Sequence, residues 1–344
     1  MMNRKSVLAC LGSVTVAAAL AGCGLIRAPG SSWGTPSVGA SILQQEQAAP
    51  PQPAASAVTR PVVPVSALKD PRGKFFGVEA DGAPDSIGPV TTIATSVGVS
   101  PNLIGQYVTW GRPFDTMAAT NALNSGALYY MVWEPFSPSV ASIAGGASDA
   151  YITQFAQAVH AFGKPVALSF GHEMNGNWYP WGVKQTTAAQ FTAAWRHIHD
   201  LFAQAGATNV IWVWNPNVIL ALPDVQLEPY WPGDSYVDWV GLTAYFGVAG
   251  PHTFDGLYGA TITEVKQFTT KPFIIAETAV QTSASDLDSI NSLIGSIKDN
   301  SDVLGFVWFN YNKLGVDWTL EGRPQVRAAV ASALSGIPLV SLSP

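Results

Sequence analysis

Residues 166–214 read VALSFGHEMNGNWYPWGVKQTTAAQFTAAWRHIHDLFAQAGATNVIWVW. The stretch opens on Val166–Phe170, an apolar run too short for a helix and stopped by Gly171, which predicts a buried strand. Thr187-x-x-Gln190 has the form of a capping box. Beyond it Phe191, Trp195, Ile198 and Phe202 recur at helical spacing on one face. Val210–Trp214 is a second short apolar run. Strand, loop, amphipathic helix and strand make one unit of a parallel α/β fold, and its loop gathers polar and aromatic side chains.

The same alternation extends outward from this unit. Short apolar runs lie at Phe75–Val78, Leu103–Thr109, Leu128–Trp133, Val166–Phe170, Val210–Trp214, Trp239–Thr243, Phe273–Ala276 and Leu304–Phe309. Helical patterns lie between them. Tyr151, Ile152, Phe155, Val159 and Phe162 keep the 3.6 period from a Ser148 cap to a Gly163 stop. Eight apolar strands alternating with helices over residues 70–344 predict a single (β/α)8 TIM barrel. A doubly wound open sheet is the alternative, but no G-x-G-x-x-G or P-loop supports it.

Before residue 70 the texture differs. Arg4 and Lys5 precede an apolar run from Val7 to Leu20, which reads as an export signal over residues 1–22. Leu20-Ala21-Gly22-Cys23 resembles the lipobox of bacterial lipoproteins, which implies lipidation at Cys23 and anchoring to the outer side of the cell membrane. Cys10, the other of two cysteines, would be lost with the signal. Residues 24–69 hold seven prolines and four charged side chains, so residues 23–69 are expected to form a disordered tether.

The formal charge is −6, from 17 basic and 23 acidic residues, and loss of Arg4 and Lys5 would leave 15 basic residues and a charge of −8. No basic run is present, which argues against a nucleic-acid partner. No H-E-x-x-H or usable cysteine supports a metal site. His197 and His199 are two apart on a predicted helix and do not share a face. Neither a metal nor a cofactor is expected.

In a barrel of this kind the chemistry sits at the C-terminal ends of the strands. Carboxylates in such places are Glu79, Glu134, Glu173, Glu277 and, more loosely, Asp317. Aromatic residues there include Trp110, Trp133, Trp178, Trp181, Tyr245, Trp308 and Trp318. Acids among aromatic platforms suit a carbohydrate, whose C–H faces pack on rings while carboxyl groups act on the glycosidic bond. Position alone leaves five acids and does not choose a pair.

Gly171-His172-Glu173-Met174-Asn175-Gly176-Asn177-Trp178-Tyr179-Pro180-Trp181 resembles the acid/base motif of glycoside hydrolase family 26, a family of retaining β-glycanases. Ile274-Ile275-Ala276-Glu277-Thr278-Ala279 is similar to its nucleophile strand, and Val240-Gly241-Leu242-Thr243-Ala244-Tyr245 to its sixth strand. Gly305-Phe306-Val307-Trp308-Phe309-Asn310, followed by Asp317-Trp318, is similar to its last strand and loop. The likeness runs from about residue 75 to 320. It departs at Ser169, where many members carry arginine, and at Thr278-Ala279, where glycine is common. The resemblance implies Glu173 as acid/base and Glu277 as nucleophile. It also places Tyr245 close to the nucleophile, while position at strand ends suggests substrate contact by His172, Asn175, Trp178, Trp181, Tyr245 and Trp308, with Trp178 and Trp181 also forming an apolar wall around Glu173. The expected protein is a monomeric endo-β-glycanase acting on a polysaccharide, β-1,4-mannan first. Mixed-linkage β-glucan or an envelope glycan is the alternative, and a glycan-binding lipoprotein without activity is the rival from another class. Trp195, Trp212 and Trp239 are read as core, and Glu79 and Glu134 as either sugar contacts or partners of donors at the barrel mouth.

Overall fold

The protein's structure, a computed structural model, describes residues 57–58, 60–313 and 315–343. The export signal, Cys23 and the tether up to residue 56 lie outside the described residues. Eight parallel strands close into a barrel in chain order. They are β1 (Phe75–Ala80), β2 (Leu103–Thr109), β3 (Leu128–Glu134), β4 (Val166–Phe170), β5 (Val210–Trp214), β6 (Trp239–Thr243), β7 (Phe273–Thr278) and β8 (Val303–Asn310). All eight predicted runs are strands, four with the expected bounds.

The helices are α1 (Val65–Lys69), α2 (Gly88–Val97), α3 (Thr116–Ser125), α4 (Val140–Ala144), α5 (Asp149–Phe162), α6 (Ala188–Gln204), α7 (Ala260–Val265), α8 (Asp286–Asp299) and α9 (Pro324–Leu334). The capping box at Thr187 and Gln190 forms as expected and opens α6. Ser148 occupies the N-cap of α5, but its side chain makes no capping bond. One expected helix is absent. Between β5 and β6 the chain makes only 3-10 turns at Ile219–Ala221, Glu228–Tyr230 and Asp234–Tyr236. Pro223, Pro229 and Pro232 remove the amide donors that a helix would need there.

Side chains two apart on a strand share a face, so each strand contributes to two separate cores. Phe76, Val78, Ile104, Leu168 and Trp308 pack outward against the helices. Phe75, Leu103, Leu128, Ile211, Trp239 and Val307 fill the interior. Residues 62–69, expected to be the end of the tether, instead close the floor of this interior. Leu68 is buried in the same cluster, Val63 N–H donates to Leu342 O at 2.9 Å, and Trp239 Nε1 donates to Lys69 O at 2.9 Å. Sequestering Leu68 and the nearby valines from water outweighs the local proline-rich composition.

Closure occurs where β8 pairs with β1, from Phe75↔Gly305 to Ala80↔Asn310. Gly305 has φ 151, and a Cβ there would lie 2.1 Å from Phe75 O. Gly305→Ala is expected to lower stability by about 3 kcal/mol or more, through that overlap and an unfavourable φ. Gly295→Ala, at an open position on α8, should be neutral or stabilising by up to ~1 kcal/mol. Chemical denaturation of the two variants checks this; equal midpoints would refute the role of Gly305 in closure.

Candidate active site

The inward-facing set changes character as it rises. Below it is apolar; at the C-terminal end it continues as Glu79, Tyr107, Asn215 and Thr243, each two residues beyond an inward neighbour. Glu277 does not follow this rule. Ile274 and Ala276 face inward, so strict alternation would send Glu277 out among the helices. The β7–β8 register shifts between Ile275 and Thr278, and that irregularity turns Glu277 inward.

Glu173 reaches the same mouth by another route. Its φ is 53, the only positive value at a non-glycine among the described residues. Such a conformation costs about 1–3 kcal/mol and persists only where surroundings enforce it. Here Glu173 N–H donates to Asn215 O at 2.6 Å, and Gly176 N–H donates to Glu173 O at 2.8 Å. Trp178 Nε1 donates to Glu173 Oε2 at 2.7 Å, and Asn217 Nδ2 donates to Oε1 at 2.5 Å. Asn175 clamps Asn217 from both sides: its Nδ2 donates to Asn217 O at 2.9 Å, and its Oδ1 accepts from Asn217 N–H at 2.8 Å.

Glu277 is held by phenols. The Tyr245 hydroxyl donates to its Oε1, and the Tyr107 hydroxyl lies 2.5 Å from its Oε2. After β8, Lys313 ends the first strand of the hairpin of β9 (Asn312–Lys313) and β10 (Val316–Asp317), with its Nζ 4.1 Å from the Tyr311 ring centroid and 5.8 Å from that of Tyr107.

Burial dominates the electrostatics. It pushes Glu173 up to about 8, with the nearby Glu277 charge adding and the bonds from Asn217 and Trp178 opposing. Burial also raises Glu277, but Tyr107, Tyr245 and Lys313 restrain the rise. Glu134 is pushed to about 7 by burial and then by Glu277. Burial lowers His172 to about 3, so its imidazole is neutral at any working pH. The mouth thus pairs one carboxyl that keeps its proton near neutrality with another bonded by two hydroxyls as an acceptor. That division suits proton donation and nucleophilic attack.

Several expected substrate contacts are enclosed instead. Trp181 has 0% exposure; it stacks on Tyr179 at 4.3 Å and donates from Nε1 to His172 O at 2.6 Å, so it supports the loop. Trp308 also has 0% exposure because it alternates outward, in register with Val78, and donates to Trp318 O at 2.8 Å. Its neighbour Phe309 faces the mouth, where Phe309 and Trp318 both pack on Tyr245. Asn175 is buried as the clamp on Asn217, and His172 lies among Tyr107, Tyr179 and Trp181. Trp178 and Tyr245 are half-buried at the mouth. Tyr107, Asn217, Phe309 and Lys313 were not singled out from sequence. Tyr107 and Phe309 sit near strand ends, and Asn217 follows β5 in Trp214-Asn215-Pro216-Asn217; a search limited to acids, tryptophans and one tyrosine passes over them. Among the described residues no group of three or more His, Cys, Asp or Glu side chains is placed to hold a metal ion.

Residues 141–291 match the model of glycosyl hydrolase family 26. Endoglucanase H of Acetivibrio thermocellus is 32% identical over 247 residues, 68% of this chain and 27% of that protein. A mannan endo-1,4-beta-mannosidase of Bacillus subtilis is 32% identical over 37% of this chain and 33% of its own length. The chain therefore spans about a quarter to a third of these relatives. A solved β-mannanase from Bacteroides ovatus superposes with a TM-score of 0.59 at 18% identity, covering 81% of this chain and 93% of that one, and shares the barrel fold. The family model thus matches under half of this chain, and the structural likeness shows the barrel fold.

Trp178→Phe removes one of the two donors that favour the charged form of Glu173. The Glu173 carboxyl should then titrate higher by roughly one unit. Carbon-13 NMR of glutamate-labelled protein measures it; an unchanged or lower titration would show that this bond does not tune the acid.

Proposed function

We propose that this chain, matched to glycosyl hydrolase family 26, is a retaining endo-β-glycanase that acts as a monomer by double displacement. The observation that carries the reading is the pair of buried carboxyl groups at the barrel mouth, Glu173 bonded by Trp178 and Asn217 and Glu277 by Tyr107 and Tyr245. Glu277 attacks the anomeric carbon while Glu173 gives its proton to the departing glycosidic oxygen. A covalent glycosyl ester on Glu277 results. Glu173, now a carboxylate, takes a proton from water, whose oxygen attacks the same carbon and frees Glu277. Both groups return to their starting protonation.

Trp178, Phe309 and Trp318 offer half-buried rings for sugar faces. The first substrate we propose is β-1,4-mannan, supported by the mannosidase names of several relatives. A β-glucan is the second reading, supported by the endoglucanase aligned over 247 residues. We also infer export, on the strength of Arg4, Lys5 and the apolar run from Val7 to Leu20, and lipid anchoring through Cys23, on the strength of Leu20-Ala21-Gly22-Cys23. Palmitate labelling that persists in Cys23→Ala would count against the anchor.

Incubation with β-mannan, mixed-linkage β-glucan and β-1,3-xylan should release oligosaccharides from at least one polymer. Glu277→Ala should lower that rate by roughly a thousandfold or more. With the active polymer, kcat/KM should follow a bell. Activity requires Glu173 protonated, so the alkaline limb falls near its value of about 8. It also requires Glu277 ionised, so the acid limb lies above the ordinary glutamate value. Full activity in Glu277→Ala, or release from none of the polymers, would sink the reading.

A further inference from the structure

Glu79 is not needed for the two displacement steps, yet it has 0% exposure directly beside the nucleophile. Its Oε2 lies 3.0 Å from the Tyr107 hydroxyl, and that hydroxyl lies 2.5 Å from Glu277 Oε2. Its other oxygen, Oε1, is buried without a hydrogen-bond partner. Space for the carboxyl is provided by Gly105, the register partner of Glu79 on β2. A Cβ at Gly105 would stand 2.5 Å from Glu79 Cγ and 2.6 Å from Oε1.

A phenol carries one proton and cannot donate to two carboxylates at once. If Tyr107 donates across the shorter contact to Glu277, its oxygen can only accept from Glu79, and Glu79 must then bring a proton of its own. We propose that Glu79 is a positioning residue held as a neutral carboxylic acid, donating from Oε2 to Tyr107 and so committing the Tyr107 proton to Glu277. The inference rests on the reading of Glu277 as nucleophile. The orphaned Oε1 agrees with it, because an unpartnered neutral carbonyl oxygen is far less costly to bury than an unpartnered carboxylate oxygen.

The charged and titratable groups facing Glu79 point the same way. Burial raises it well above the ordinary glutamate range, and the Glu277 and Glu134 charges add to the rise. Tyr107 and Lys313 oppose it without matching them. Tyr130, on β3, faces the same interior and is itself pushed far up by burial, so its phenol stays neutral and adds no charge beside Glu79. The chain Glu79–Tyr107–Glu277 therefore holds two protons and one negative charge. The charge settles on Glu277, the member that Tyr245 also bonds. Linked bonds of this kind polarise one another, so each strengthens the next.

Two measurements test this. A difference infrared spectrum at pH 7, parent minus Glu79→Gln, reads the resting protein without substrate. Its outcome stands whatever glycan the enzyme cuts, and inactivity of the parent on every glycan would bear on the proposed function alone. Loss of the carbonyl stretch of a protonated carboxyl in Glu79→Gln is the expected result; loss of carboxylate stretches instead would overturn the proposal. In kinetics, Glu79→Leu removes the donor, and kcat should fall about 10- to 100-fold with KM little changed. The acid limb should move to higher pH as Glu277 loses support. Glu79→Gln restores an N–H donor to Tyr107 and should bring kcat back to within about threefold of the parent. A Gln variant as impaired as the Leu variant, or one whose acid limb moves down as though a like charge had been removed, would overturn it.

Discussion

Closure of β8 onto β1 is the constraint on which the rest of the molecule depends. It converts a sheet with two faces into a barrel with an inside and an outside, and strand period then assigns every side chain to one or the other. The Phe75–Gly305 pairing makes that closure without room for a side chain. Once closed, the barrel has one dry interior, filled below by Phe75, Leu103 and Trp239 and sealed by Leu68 and the C-terminal strap near Leu342. The same inward positions carry acids and hydroxyls above. The apolar floor and the polar mouth are successive layers of one pattern.

A dry interior is also what gives the carboxyl groups their chemistry. Water would stabilise every carboxylate at the mouth equally; removing it makes each one depend on the donors it finds. Glu173 finds Trp178 and Asn217, Glu277 finds Tyr107 and Tyr245, and Glu79 finds only Tyr107. Identical side chains are thereby driven to different protonation states within one small volume. The cluster of aromatic groups beside His172 and Glu173 has its explanation here. Trp181 and Tyr179 stack to hold the loop, Trp178 supplies a donor, and together they exclude solvent from the acid.

Much of this was legible in the sequence because it rests on local pattern. Runs of four to seven mostly apolar residues marked all eight strands, since a strand covered on both faces has no polar side to display. The capping box at Thr187 forms because it needs only neighbours within one turn. Glu173 and Glu277 were reached through motifs that lie within single stretches. The floor segment at residues 62–69 was misjudged because composition reports average solubility, whereas a single leucine and a few valines meeting a barrel end suffice for order.

The orientation of single side chains was not legible. Trp308 and Phe309 are adjacent aromatics on one strand, and only the register with Val78 and Glu79 decides that the first faces the helices and the second the mouth. Trp181 reads as a sugar platform until its ring is seen beneath Tyr179. Glu277 faces inward through a register shift that no alternation rule contains. The sequence by itself determined the eight strands and their order along the chain, because those follow from periodic patterns within continuous segments; it left five acids at strand ends, from which only the resemblance to family motifs singled out Glu173 and Glu277. Only the tertiary structure decided which donors each acid meets. Tyr107, Asn217 and Tyr245 arrive from three different strands or the loops that follow them, and a hydrogen bond between residues 170 apart in sequence, such as Tyr107 to Glu277, exists only after the barrel has closed.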